Sequence, residues 1–212
     1  MSVKYNEDHI FSYIKGIAMG RTWTNTLQAL YIARQAHNGQ FRKSGEPYII
    51  HPLTVASHLL SMGIMDDTII ATALLHDYKE DCCDDLTNLP LSNEIKQAIE
   101  LVSFDKHWYK TNAGLEKQDA LKIHYAKIAE NPIATLVKLA DRCNNVSTMS
   151  GIFNEEKLHE YIDETKNFII PLIRTAKNHW PQYSDALFIM KYHLISIIDA
   201  IEITMQMHQD TN

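Results

Sequence analysis

Apolar positions recur along this chain with the 3.6-residue period of helices, not the alternation of strands. Leu27, Leu30, Tyr31 and Arg34 fall at i, i+3, i+4 and i+7, behind Thr24 as an N-cap, and the spacing predicts a helix ending at His37-Asn38-Gly39. The stretch from Gln40 to Ile50 carries Gly45 and Pro47, has no helical period and reads as a loop, the most basic in the chain. Pro52 suits a first helical turn, where its missing N–H costs nothing. Leu53, Ala56 and Leu60 then continue an apolar face as far as Gly63, which puts His51 at a helix's N-terminal boundary. After Asp66 the run from Thr68 to Leu75 is apolar almost all round, the mark of a helix buried on most faces, with His76-Asp77 at its C-terminal end.

Further on, Ser92 opens a helix whose face is Ile95, Ala98, Ile99 and Val102. Phe104 to Gly114 is polar apart from the pair Trp108-Tyr109 and is expected to be a mobile loop. A helix with Leu121, Tyr125 and Ile128 must end before Pro132, because the residue ahead of a proline is pushed out of the helical region. Ile133, Leu136, Val137, Ala140 and Asn144 define the next face, with Asp141 at its edge. Two long helices follow, one from Leu158 to Ala176 that Pro171 should kink, and one from Leu187 to Met205. No strand pattern, repeat or low-complexity tract emerges, so the expected fold is an all-α bundle.

Composition changes this picture little. The 212 residues are enough for one well-buried core, and a single domain over 1–212 is expected. The scarcity of Gly (7) and Pro (6) fits long helices with few tight turns. The polar N-terminus does not read as a signal peptide, and no stretch approaches the ~20 apolar residues of a membrane span. Three cysteines, Cys82, Cys83 and Cys143, fit neither a disulfide framework nor a zinc pair, and a cytoplasmic setting is the simplest. A net charge of −6 argues against general nucleic-acid binding. It leaves room for a local basic cluster, Arg42-Lys43, sized for one small anionic ligand.

Charged and imidazole side chains supply the candidate chemistry. A divalent cation needs neutral imidazoles and ionised carboxylates from separate elements, with positions left for water or substrate. His51 before one helix, His76-Asp77 ending another and Asp141 within a third can meet that need. On one helix, His76 and Asp77 point roughly 100° apart, so both reach one ion only if it sits beside the helix between them. Glu80-Asp81 follows Asp77 by three and four residues, one further turn if the helix persists. Carboxylates there can hold or deprotonate a water whose pKa the metal lowers.

Four ordered stretches then carry a resemblance: 36–53 (AHNGQFRKSGEPYIIHPL), 73–81 (ALLHDYKED), 102–106 (VSFDK) and 136–145 (LVKLADRCNN). Together they resemble the HD-type hydrolase domain of the RelA/SpoT alarmone family, over roughly residues 25 to 175 with a weaker likeness at Tyr161-Ile-Asp-Glu-Thr. The chain is similar to that family's small stand-alone hydrolases and lacks room for a synthetase. The resemblance implies one Mn²⁺ ion and removal of 3′-pyrophosphate from (p)ppGpp. It assigns His51, His76, Asp77 and Asp141 as metal ligands and Glu80 with Asp81 to water activation. Arg42, Lys43 and Ser44 match its nucleotide-contacting loop, Asn145 a nucleotide contact and Tyr161 another. Lys106, Lys110 or Lys138 can add charge around the phosphates. Three positions depart from the family pattern: Lys79 is usually uncharged, Cys82 is usually threonine, and Asn144 is His or Tyr in many members.

Blander readings stay open at this level. His51 can be a helix-start residue, Asp141 a partner of Arg142 or Lys138, Glu80-Asp81 a solvated acidic turn and Tyr161 core packing. His37 reads as a capping or buried structural histidine. The expected function is an alarmone 3′-pyrophosphohydrolase for guanine or adenine (p)ppGpp-like nucleotides. The alternatives are a phosphomonoesterase acting on NADPH or a nucleotide monophosphate, and a non-catalytic alarmone-binding protein, which Lys79 and Cys82 motivate. The expected partner is a small nucleotide, with no nucleic acid or membrane; a homo-oligomer is compatible with the sequence.

Overall fold

The structure, a computed structural model, describes residues 6–104 and 116–209; Trp108, Tyr109, Lys106, Lys110 and most of the expected polar loop lie outside them. The described helices are α1 (Glu7–Gly20), α2 (Thr24–Ala36), α3 (Ile50–Ser61), α4 (Asp67–Leu75), α5 (Tyr78–Asp81), α6 (Asn93–Val102), α7 (Lys117–Ile128), α8 (Pro132–Met149), α9 (Glu155–Glu164), α10 (Ile170–His179) and α11 (Ser184–Gln209). Among the described residues, strand pairing is confined to one isolated bridge, Phe41 to Pro47, inside the basic loop. The all-α expectation holds. Among the described residues, no helix is long and apolar enough to cross a membrane.

The all-round apolar run becomes the centre of the molecule: α4 is buried from Ile69 to Leu75 and packs against α2, α3, α6 and α8. Asp66 caps it, its carboxylate accepting from the Thr68 and Ile69 N–H groups. Helix α8 crosses the same core against α3, α4, α6 and α11, so the ends of α3 and α4 meet the middle of α8.

Several local expectations change. Thr24 is the first residue of α2, and its N-cap, Trp23, makes no side-chain cap bond. The carboxylate of Asp67 on α4 does that work, accepting from Thr26 N at 2.7 Å and Asn25 N at 3.2 Å. The buried face of α2 is Thr26, Ala29, Leu30 and Ala33, while Tyr31 is exposed and edges against Phe11. Most of this face is small, which suits the close packing of α2 on α4. Helix α1 has no counterpart in the periodicity reading, although Asn6 caps it, Glu7 and Asp8 suit its first turn, and Phe11, Ile14 and Ala18 are buried. The expected kink near Pro171 is a π turn at Thr165–Ile169, whose wider ring closes from Ile170 N to Thr165 O.

Beside the core, α8 carries a buried guanidinium. Arg142 pairs with Glu164, donates to the Tyr125 hydroxyl at 3.1 Å and to Thr165 at 3.3 Å, and lies 4.0 Å from the Tyr161 ring centroid. These contacts tie α7, α8 and α9 together.

Candidate active site

Each residue at the centre is placed by an element boundary or a buried helix face. His51 sits in the first turn of α3, His76 is the C-cap of α4, and Asp141 lies on the buried side of α8. The helix does not persist through His76-Asp77: α4 stops at Leu75, and Asp77 becomes the N-cap of the single turn α5, which carries Glu80 and Asp81. The break lets neighbouring side chains turn to one point without the 100° divergence of a continuous helix.

At that point the Nε2 atoms of His51 and His76 lie 3.2 Å apart. Asp77 approaches them at 3.4 and 3.3 Å, and Asp141 at 3.2 and 3.6 Å. The other ring nitrogens are spoken for: His51 Nδ1 faces the Asn144 side-chain oxygen at 2.7 Å, and His76 Nδ1 faces the Ala73 carbonyl at 2.8 Å. Both partners are acceptors, so both Nδ1 atoms carry a hydrogen and both Nε2 atoms face inward, each with a lone pair whenever its ring is neutral. Two neutral rings and two carboxylates turned to one point repel one another unless positive charge, from a metal ion or a proton, lies among them. His51, His76 and Asp77 form a group able to hold a metal ion. Donors around one ion at about 2.1 Å stand about 3.0–3.4 Å apart, close to the spacings here.

Without a metal ion, protons supply that positive charge. Burial alone would depress His76, but Asp77 and Asp141 overcome it and raise its pKa to about 9. Burial likewise opposes ionisation of Asp141, yet His51, His76 and Lys138 hold it well below the ordinary carboxylate range; Asp77 is also lowered, chiefly by the two histidines. Tyr48 donates to Asp77 Oδ2 at 2.7 Å; burial, Asp77 and Asp81 push its hydroxyl pKa up, keeping it a donor.

Around this centre the other sequence candidates divide. Asn145 donates to Asp141 Oδ1 at 2.5 Å and accepts from Arg42 at 2.7 Å, so both reach the centre. Asp81 is exposed on α5 and contributes to the field that raises the Tyr48 hydroxyl. Glu80 accepts from Phe104 N at 2.9 Å and adds to the field that keeps Lys138 charged. Lys138 stands 3.6 Å from Asp141 Oδ2, so that alternative partner and the histidines share one carboxylate. Lys43 and Ser44 are exposed on the turn held open by Gly45 at φ +81°. Tyr161 packs beneath Arg142 and edges against Phe153. His37 is buried, bonded to Gln40 and stacked on Tyr48, as a structural histidine should be. Lys79 pairs with Glu100 on α6, and Cys82 packs against Ala36 and His37, so neither departure enters the centre. Sequence reasoning missed Tyr48 as the partner of Asp77, and saw Asn144 as a helix-face position and a departure but not as the partner of His51. Their only signal is a place in the same motifs as the residues they hold.

A family model described as an HD domain matches residues 29–175. The chain belongs to the HD domain family. This HD domain is 39% identical over 155 residues to a guanosine-3′,5′-bis(diphosphate) 3′-pyrophosphohydrolase of Aquifex aeolicus, covering 68% of this chain and 20% of that protein. It is 34% identical over 180 residues to the enzyme of the same name from Vibrio cholerae, covering 81% and 25%. To the bifunctional (p)ppGpp synthase/hydrolase SpoT of Escherichia coli it is 36% identical over 156 residues, covering 72% and 22%. The HD domain therefore spans about a fifth to a quarter of the length of these curated relatives. The solved structure described as "A metazoan ortholog of SpoT hydrolyzes ppGpp and plays a role in starvation responses" shares its fold, with a TM-score of 0.64 at 23% identity over 84% of this chain and 95% of that one.

Proposed function

We propose that this HD domain is a metal-dependent hydrolase that removes the 3′-pyrophosphate of (p)ppGpp or of a related alarmone such as (p)ppApp. The products are GDP or GTP, or their adenine counterparts, and pyrophosphate. The observation that carries the reading is the convergence of two buried imidazole Nε2 atoms and two carboxylates on one point. Relatives named 3′-pyrophosphohydrolases support the choice of reaction. We assign one Mn²⁺ ion to His51, His76, Asp77 and Asp141, and a cytoplasmic setting for a nucleotide substrate. When bound, such a cation supplies Lewis-acid polarisation of a phosphoryl oxygen and acidifies a coordinated water.

The chain's own residues do the rest. Tyr48 and Asn145 hold Asp77 and Asp141 in place. Glu80 and Asp81, exposed on α5 beside the centre, orient a water and accept its proton. The water oxygen bonds to the phosphorus next to the 3′-oxygen, the bond from that phosphorus to the 3′-oxygen breaks, and the 3′-oxygen takes up a proton. Arg42, Lys43 and Ser44 on the basic loop, with Asn145 and Tyr161, contact the nucleotide. Guanidinium suits purine stacking as well as phosphate, whereas a lysine amine is a point charge for phosphate. Lys79 and Cys82, which motivate a binding-only protein, face Glu100 and the end of α2 instead.

Incubation with Mn²⁺ and a panel of guanine and adenine alarmones plus NADPH, followed by chromatography of the products, tests the assignment. Pyrophosphate with the matching 5′-nucleotide is expected. Orthophosphate would identify a phosphomonoesterase, and tight nucleotide binding without product a sensor.

A further inference from the structure

The basic loop and the centre are joined by hydrogen bonds whose polarity only one side can set. Arg42 is held in place by its own turn, donating from its backbone to Glu46 and accepting from Gly45 N, while Tyr48 N bonds Gln40 O at the base of the loop. From there its guanidinium reaches inward. Nη2 donates to Asn145 Oδ1 at 2.7 Å, and Nη1 lies 3.4 Å from Asn144 Oδ1. Those two amides are the groups bonded to His51 and Asp141: Asn144 Oδ1 faces His51 Nδ1 at 2.7 Å, and Asn145 Nδ2 donates to Asp141 Oδ1 at 2.5 Å.

A side-chain amide has an accepting end and a donating end, and turning it over exchanges them. A guanidinium only donates, so it draws the oxygens of both asparagines toward itself. That choice leaves the Asn145 NH₂ for Asp141, where the reversed amide would set oxygen against carboxylate. It also keeps an acceptor on His51 Nδ1, which fixes the tautomer whose Nε2 lone pair faces the centre.

We propose that Arg42 is a positioning residue for the metal centre, acting through Asn144 and Asn145 to orient His51 and Asp141 before any nucleotide arrives. The inference rests on the metal-centre reading above and goes beyond the substrate contact assigned to Arg42 there. Its consequence is a coupling between sites. A ligand that draws the guanidinium onto a purine or phosphate releases both amides, so one residue links occupancy of the loop to the set of the ligands.

The sign of one effect separates this role from ordinary electrostatics. Removing a cation near a cation site tightens metal binding if charge alone matters, whereas removing a positioning group weakens it. Calorimetric titration of the protein with Mn²⁺, without nucleotide, reads this directly for the wild type, Arg42→Ala, Arg42→Lys, Lys43→Ala, Asn145→Ala and Arg42→Ala/Asn145→Ala. Expected are a roughly tenfold loss of Mn²⁺ affinity for Arg42→Ala and a partial loss for Arg42→Lys. Lys43→Ala should bind as tightly as the wild type or slightly more so, and the double variant should lose less than the two single losses combined. Unchanged or tighter Mn²⁺ binding by Arg42→Ala, or an equal loss in Lys43→Ala, overturns the positioning role while leaving the centre itself standing. Failure of the wild type to bind Mn²⁺ overturns the metal-centre reading instead.

Discussion

At His76 two opposed effects meet, and their balance has a measurable sign. Burial favours the neutral ring, but Asp77 and Asp141 raise its pKa from 6.5 to about 9. With no cation bound, this contact contributes stability that is complete below about pH 6.5 and is lost as pH rises through about 9. A metal ion needs the neutral ring, so protons compete with it. Mn²⁺ affinity should climb between pH 6.5 and 9 by up to about tenfold per unit and level off above; a flat profile in a buffered titration would contradict the assigned charge state. Tyr48→Phe removes the hydroxyl that fixes Asp77 without changing the ring, and should weaken Mn²⁺ binding by about tenfold with little change in folding, as circular dichroism and calorimetry can check. His51, His76, Asp77 and Asp141 were legible as candidates because they fall in ordered motifs that together resemble one family. Tyr48 and the role of Asn144 were not, since a hydroxyl or an amide becomes an orienting group only once folding fixes what it faces.

Among the helices, periodicity served best where one face is apolar and both ends carry caps, as in α6 with Ser92 and α8 with Asn131 and Pro132. It failed on the face of α2, where alanines sit inside and Tyr31 outside, because close helix approach selects small side chains that a hydrophobic pattern underweights. The start of α2 likewise depends on a residue 41 positions away, Asp67, which no local signal reveals. Asp67→Ala should therefore cost about 1–2 kcal/mol, read from the urea midpoint, although it removes no apolar contact. A larger effect belongs to the junction of α7, α8 and α9. Glu164→Gln leaves the buried Arg142 without its carboxylate and should cost about 3–5 kcal/mol. Arg142 and Tyr125 overcome the burial that would raise Glu164 and lower its pKa below the ordinary 4.5. The wild-type contribution should therefore be present above about pH 4.5 and fade as the pH falls through the lowered value, a loss that Glu164→Gln should not show in acid unfolding.

For the molecule as a whole, the centre lies where three core helices converge, α3 and α4 by their ends and α8 by its middle, so a bound ion would bind the native arrangement and not the unfolded chain. Mn²⁺ at about 100 times its Kd should stabilise the fold by about 2.7 kcal/mol, visible as a rise in Tm that chelation reverses. The same geometry explains why the fold class was readable from pattern alone while the site was not complete until the helices were assembled: α4 announces itself by its unbroken apolar run, but the turn at His76-Asp77 that aims both side chains inward is a break the pattern could only place, not shape. The central claim, that this convergence drives removal of 3′-pyrophosphate, is tested most directly by stripping the protein of metal, supplying ppGpp and adding Mn²⁺ back in steps while pyrophosphate and GDP are quantified. The account predicts no product in the stripped protein, equimolar pyrophosphate and GDP rising to a plateau at one ion per chain, and none from His76→Ala at any Mn²⁺ level; turnover that survives stripping, or that persists in His76→Ala, would contradict it.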